Sequence, residues 1–171
     1  MQTIEWNHVG WSTLNFVFSL EEKPIGQLDF SSLWNFKAVY SDPETALYFT
    51  PKGFWNRKVV ITEREKVIAE VKRGAFTPLT LYLASGEQFT LHANVWGRDV
   101  QWKNEKGDSI IQYKQATLGN MAKGSIVFKA SLPLETAKIL MSSGLYIRQY
   151  LRKRGAAFFS IGTILLYDSP F

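Results

Sequence analysis

Residues 132–154 read L-P-L-E-T-A-K-I-L-M-S-S-G-L-Y-I-R-Q-Y-L-R-K-R, and residues 155–167 continue G-A-A-F-F-S-I-G-T-I-L-L-Y. In the first stretch Leu134, Ala137, Met141 and Leu145 recur three and four apart, and Ile139 and Leu140 widen the stripe. That is helical spacing. Tyr146, Ile147, Tyr150 and Leu151 carry it on over a broad face. Pro133 suits a first-turn position, and Ser131 is placed to cap ahead of it. Arg148, Arg152, Lys153 and Arg154 crowd the other end. Cations there oppose the negative end of the helix dipole, each worth about 0.3–1 kcal/mol at low salt. Gly155 supplies the stop. These signals predict a helix over 133–154. Residues 157–167 are aromatic and β-branched, which predicts a closing strand.

Upstream the period changes from helical to two. Val9 to Leu20 alternates, and Glu21-Glu22-Lys23-Pro24 breaks it. Leu28 and Phe30 follow, then Trp34, Phe36, Ala38 and Tyr40, then the turn Asp42-Pro43-Glu44. Leu47 and Phe49 run into Pro51-Lys52-Gly53. Trp55, Arg57, Val59 and Ile61 lead to the charged turn 63–66, and Val67, Ala69 and Val71 return. The rhythm continues through Leu79–Leu83, Phe89–Ala93, Val100–Trp102, a glycine-containing loop at 104–108, Ile111–Tyr113 and finally Ile126–Ala130. Gly119 to Gly124 reads as a loop.

Short strands with turns at this spacing indicate an all-β sandwich or barrel. No ten-residue helical stretch separates them, so a parallel α/β sheet is excluded. A hydrophobic helix that arrives after a strand meander must be buried, and the simplest place is inside the curved sheet. The expected fold is mainly β: one domain over 1–171, an antiparallel closed barrel around one late hydrophobic helix.

The chain has 171 residues, 46% of them hydrophobic, enough for a sizeable core. It has no cysteine, which removes disulfides, thiolate nucleophiles and cysteine-bound metals. The N-terminal M-Q-T-I-E-W-N-H-V-G-W has neither the basic segment nor the apolar segment of a signal peptide, so a cytoplasmic location is expected. The apolar run 155–167 falls short of the roughly 20 residues a spanning helix needs. Extending it backwards meets Arg148, Arg152, Lys153 and Arg154, each costing about 3 kcal/mol at a bilayer centre. No transmembrane segment is expected.

Candidate chemistry is sparse. His8 and His92 are far apart and lack metal-ligand spacing. The carboxylate pairs Glu21-Glu22, Glu63-Glu65 and Glu105-Asp108 sit in turns, where solvated charge explains them. Nucleophile-elbow, P-loop and dinucleotide motifs are missing. No catalytic residue, metal or cofactor is implied.

The meander segments V-V-I-T-E-R-E-K-V-I-A-E-V-K and D-V-Q-W-K-N-E-K-G-D-S-I-I-Q-Y-K each read strand, polar turn, strand. With F-K-A-S-L-P-L-E-T-A-K-I-L-M-S-S-G-L-Y-I after them, the chain resembles the tubby C-terminal-like superfamily, which includes the LURP-one-related proteins and the phospholipid scramblases. The resemblance covers 25–147. It implies a barrel of about twelve strands wrapped around one helix, and it suggests anionic-lipid binding. The scramblases' cysteine-rich palmitoylation segment and acidic calcium loop have no counterpart here.

Charge supports the same direction. Lys and Arg total 20 against 15 Asp and Glu, a net charge of +5. Such a balance permits anionic partners. The candidate anion- or lipid-binding residues are Arg57, Lys58, Lys72, Arg73, Arg148, Arg152, Lys153 and Arg154. The expected function is a non-enzymatic binding domain for anionic phospholipid head groups on a membrane surface, or for an acidic partner. Two alternatives stand beside it. One is a barrel carrier of a small hydrophobic ligand, which needs the helix to cap the barrel mouth. The other is a structural or assembly protein that uses the apolar run 155–167. Trp34, Trp55, Trp96 and Trp102 interleave with cations as in single-strand binders, but core packing explains them better, and nucleic acid is disfavoured.

Overall fold

The alternation of apolar and polar residues becomes twelve antiparallel strands in the computed structural model. They are β1 (Thr3–Val9), β2 (Asn15–Leu20), β3 (Lys23–Phe30), β4 (Ala38–Ser41), β5 (Ala46–Lys52), β6 (Lys58–Glu63), β7 (Lys66–Arg73), β8 (Leu79–Leu83), β9 (Gln88–Ala93), β10 (Asp99–Lys103), β11 (Ser109–Thr117) and β12 (Asn120–Phe128). One helix follows, α1 (Leu134–Arg154). The structure describes residues 2–10, 15–31, 35–53, 58–73, 78–93, 99–117 and 120–154, without the side chains of 93, 99, 116, 117, 120–122 and 151–154. The strand expected at 157–167, and the assembly reading built on it, lie outside the described residues.

Each strand pairs with its sequence neighbour, and β1 pairs with β12 through Ile4↔Ile126 and Trp6↔Gly124. The sheet therefore closes into a barrel with no free edge. One phase of every strand points inward. Phe18, Leu28, Leu47, Ile61, Leu81, Trp102, Ile111 and Ile126 are almost wholly buried.

Helix α1 runs through the lumen. Tyr146 stacks on Phe49 of β5, with ring centroids 4.9 Å apart. One and a half turns earlier, the Leu140 carbonyl accepts hydrogen bonds from Tyr113 Oη of β11 (2.6 Å) and Trp102 Nε1 of β10 (3.0 Å). Strands β5 and β11 stand on opposite walls of the closed ring, so a helix that touches both lies between them. Residues 141–150 are buried on every side, whereas Leu134 is 65% exposed at the entrance. Burying a residue such as Leu140 or Ile147 is worth about 1.5–3 kcal/mol. The helix occupies the space that a carried ligand would need.

The middle of the helix is polar. Ser142 and Ser143 are buried, and their hydroxyls donate back to the Lys138 and Leu140 carbonyls at 2.7 and 3.1 Å. Gly144 sits flat against Tyr113. A Cβ there would overlap the Tyr113 hydroxyl.

Direction is set at both ends. Lys138, in the second turn, pairs with Asp42 (2.8 Å) and donates to Thr45 Oγ1 (2.9 Å) in the β4–β5 turn. Near the other end Tyr146 Oη donates to the Phe36 carbonyl (2.9 Å), between β3 and β4. The helix thus enters at the end carrying the tight turns after β2, β4, β6, β8 and β10, and its C-terminus leaves at the opposite end.

Three local expectations change. The strand expected from Trp34 begins only at Ala38, because Phe36 takes a positive φ of 54° that interrupts extended backbone. The loop expected over 119–124 is strand from Asn120 onwards. Its Gly124 is a close-approach glycine, since a Cβ there would enter the Trp6 ring. Pro133 lies just before the helix, and its carbonyl accepts from Ala137 N at 2.9 Å.

Two outcomes follow from this packing. Gly→Ala in an exposed helix gains about 1 kcal/mol, but Gly144→Ala should lose about 1–3 kcal/mol by overpacking. Adding Tyr113→Phe should recover part of that loss in denaturant melts. The second concerns Asp42. Burial would raise its pKa, but hydrogen bonds from Lys138, Glu44 N–H, Tyr40 and Thr45 N–H outweigh it and hold the carboxyl below its ordinary value. A carboxyl lowered on folding contributes stability above its unfolded pKa, and this is lost as pH falls through the folded value. Asp42→Asn should lower the melting temperature at pH 7 and flatten the loss of stability below about pH 4, measured by melts across pH.

Candidate functional site

The register brings three lysines into one row. Lys52 of β5 faces Lys58 of β6, and Lys58 faces Lys72 of β7. The row continues through Thr80 of β8 and Thr90 of β9 to Lys103 of β10. The inward phase of these strands carries Phe49, Val59, Val71, Leu81, Leu91 and Trp102, so the row lies on the outer face of the wall. Neighbouring members are about 4.8 Å apart across the sheet.

Like charges directly opposite one another destabilise a sheet. Glu70 relieves part of that cost. Its carboxylate pairs with Lys58 through one oxygen and with Lys72 through the other, at 2.9 Å. Hydrogen bonds from Lys58 and then Lys72 hold Glu70 below the ordinary carboxylate range. Lys72 also lies 5.2 Å from the centre of the Tyr82 ring, in cation–π range. Lys52 is exposed and forms no ion pair among the described residues.

Beside the lysines the outer face of β8–β10 forms a polar groove of about 350 Å³, lined by Thr80, Tyr82, Gln88, Thr90, His92 and Lys103 with the 104–107 turn. Burial and then the neighbouring Lys103 push the His92 pKa below its ordinary value, which favours the neutral ring. The groove thus offers hydroxyl, amide and imidazole groups that can donate or accept, with the Lys103 ammonium and the Glu105 carboxylate in its lining. Among the described residues no three metal-ligating side chains come together.

Charge is also divided along the barrel axis. The end where the helix enters carries Glu21, Glu22, Glu44, Glu63, Glu65, Glu87, Glu105 and Asp108 in its turns. Glu21-Glu22 and Arg64-Glu65 form two-residue turns with positive φ at both positions, the tight hairpin geometry usually filled by Asn-Gly. The carboxylate pairs therefore lie in or beside turns, with Glu63 closing β6. The opposite end carries Lys52, Lys58, Lys72 and Arg73 at strand termini, and the helix backbone delivers residues 152–154 to that same end.

Of the eight residues expected to bind anions, Lys58 and Lys72 are direct cross-strand partners, and Arg73 is exposed next to Lys72. Arg152, Lys153 and Arg154 are the last helical residues. Arg57 lies outside the described residues. Arg148 corrects the expectation of a surface cluster: it is 5% exposed, inside the barrel, with its guanidinium 5.4 Å from the centre of the Trp6 ring. The helix stays inside the wall through Tyr150, so a position only four residues before Arg152 still faces the lumen. The sequence reading named Lys58 and Lys72 as anion-binding candidates but not their side-by-side placement with Lys52, nor the groove. Nothing local signals them, because strand register alone brings these residues together.

No family model matches the chain, and no curated protein matches it. Among solved structures, the X-ray structure of a protein from Arabidopsis thaliana, AT5G01750, is similar at a TM-score of 0.61 and 14% identity, covering 88% of this chain and 92% of that chain. The likeness is one of fold alone, between two chains of very different sequence.

Proposed function

We propose that this chain is a non-enzymatic binding domain for anionic phospholipid head groups, acting at a cytoplasmic membrane surface, and that its barrel is of the tubby-like, LURP-one-related type. The observation that carries the reading is the Lys52–Lys58–Lys72 row beside the polar groove. Ammonium groups spaced along a rigid wall match several phosphates. Hydroxyl and amide groups next to them match the hydroxyls of an inositol ring. The groove volume lies within the range of small-ligand sites. Arg73 and the helix terminus add positive charge at the same end. The closed barrel around one helix, and its likeness to the Arabidopsis fold, support the family reading. The filled lumen argues against a carrier.

Flotation with vesicles tests it. Vesicles containing a phosphoinositide should bind the protein, neutral vesicles should not, and added salt should weaken the binding. Each basic residue near an anionic surface contributes about 1 kcal/mol. Replacing Lys52, Lys58 and Lys72 together by alanine should therefore lower binding on the order of a hundredfold. Glu70→Gln should strengthen it, because the carboxylate that neutralises two of the lysines is removed. Equal, salt-insensitive failure to bind either vesicle would overturn the proposal.

A further inference from the structure

Three buried donor atoms, carried by two side chains in contact inside the barrel, lack a hydrogen-bond partner among the described residues. Among the described residues, the buried side-chain polar atoms that lack a partner are Trp6 Nε1, Arg148 Nη1, Arg148 Nη2 and Ser109 Oγ. Ser109 opens β11 at the far, helix-entry end. The other three belong to two side chains in contact, with the Arg148 guanidinium over the Trp6 indole. Arg148 is 5% exposed and Trp6 is 1% exposed.

Among the described residues no acceptor is bonded to these three atoms. Tyr113 lies beside Trp6, with ring centroids 6.2 Å apart, and its hydroxyl donates to the Leu140 carbonyl, while no hydrogen bond reaches it from Trp6 Nε1 or the Arg148 Nη atoms. Glu5, Asp29 and Glu70 stand on the outward phase of their strands, flanked by the buried Ile4, Trp6, Leu28, Phe30, Ala69 and Val71. Gly124 lets the wall come close against Trp6, and Gly144 lets the helix come close against Tyr113. Burial disfavours the charged form of Arg148, yet a guanidinium keeps its proton in proteins. Removing such a charge from water without a partner costs several kcal/mol. Buried polar groups in native proteins nearly always have a partner, whether protein, water or ion.

We propose that Arg148 and Trp6 form an internal receptor for a small oxyanion, of carboxylate or phosphate type, held between α1 and the β1–β12 wall. The two Nη groups offer a parallel fork that matches two oxygens of one oxyanion, and the indole N–H adds a third donor. A ligand made only of acceptors completes a set made only of donors. The receptor faces the lumen and the lysine row faces solvent, so this inference does not rest on the lipid reading.

The test uses the full chain, labelled with 15N, at fixed ionic strength. The indole N–H resonance assigned to Trp6, identified by its loss in Trp6→Phe, should move and saturate on titration with acetate or with inorganic phosphate. The melting temperature should rise with the same anions by mass action. Arg148→Met should abolish both responses and melt, without anion, at or above the wild-type temperature, because an apolar side chain of similar length removes an unpaired charge. The Lys52→Ala, Lys58→Ala, Lys72→Ala triple variant should keep both responses, which separates failure here from failure of vesicle binding. No movement with either anion, the same movement in Arg148→Met, or movement with phosphoinositide vesicles but not with free anions would each overturn the proposal. If Arg148→Met does not fold, Trp6→Phe decides: it should reduce the anion-dependent rise in melting temperature, and an unchanged rise overturns the proposal.

Discussion

A twelve-stranded barrel is too wide to fill itself. Inward side chains alone close the interior at about eight strands, so a ring of twelve needs something in its centre. Here that is α1, and the dependence is mutual. The helix has no outer face on which to shed its polar middle, so Ser142 and Ser143 bond back to the helix, and the Leu140 carbonyl takes donors from Trp102 and Tyr113. Large aromatics from one side of the wall meet it, with Phe30 of β3 and Phe49 of β5 stacked on Tyr146. Wall and helix form one core cluster. Neither retains a sensible interior without the other.

Much of this was legible in the sequence because the decisive signals are local. The change from period two to helical spacing at Leu134 needs only neighbouring residues, and so do the turns at Glu21-Glu22, Asp42–Glu44 and 104–108. What stayed hidden depends on distant pairing. Lys52, Lys58 and Lys72 form a row because β5, β6 and β7 adopt one register, and a slip of one residue would turn them into the lumen. Gly124 misled for a related reason: a glycine near another glycine suggests a loop, and its use appears only when Trp6 is placed across from it. Arg148 was grouped with Arg152, Lys153 and Arg154 by sequence proximity, but the wall encloses the helix through Tyr150.

The division of charge follows from connectivity. In an up-and-down meander alternate turns fall at opposite ends. The turns after β2, β4, β6, β8 and β10 are short and acidic and surround the helix N-terminus, where Glu135 in the first turn also suits the helix dipole. Lys138 sits among those acids and anchors on Asp42. The cations gather where the helix C-terminus emerges, again the favourable end for positive charge. Axial order thus enriches acids at the helix-entry end, where Lys23, Arg64, Lys66 and Lys106 are interspersed among them, without any special loop.

The outer row and the inner pair differ in what holds them. Lys58 and Lys72 stand on residues flanking Val59 and Val71, whose side chains are locked into the core, so their backbone spacing is as rigid as the wall. Their ammonium groups are partly exposed and bridged by Glu70, which suits an electrostatic contact that salt can weaken. Arg148 is the reverse case. Its guanidinium is confined against Trp6 and shielded from solvent, so an anion there would feel little screening and would bind through geometry more than through net charge. A barrel that must enclose a helix anyway can carry both kinds of site, one on each face of its wall, because alternate residues of a strand belong to different environments.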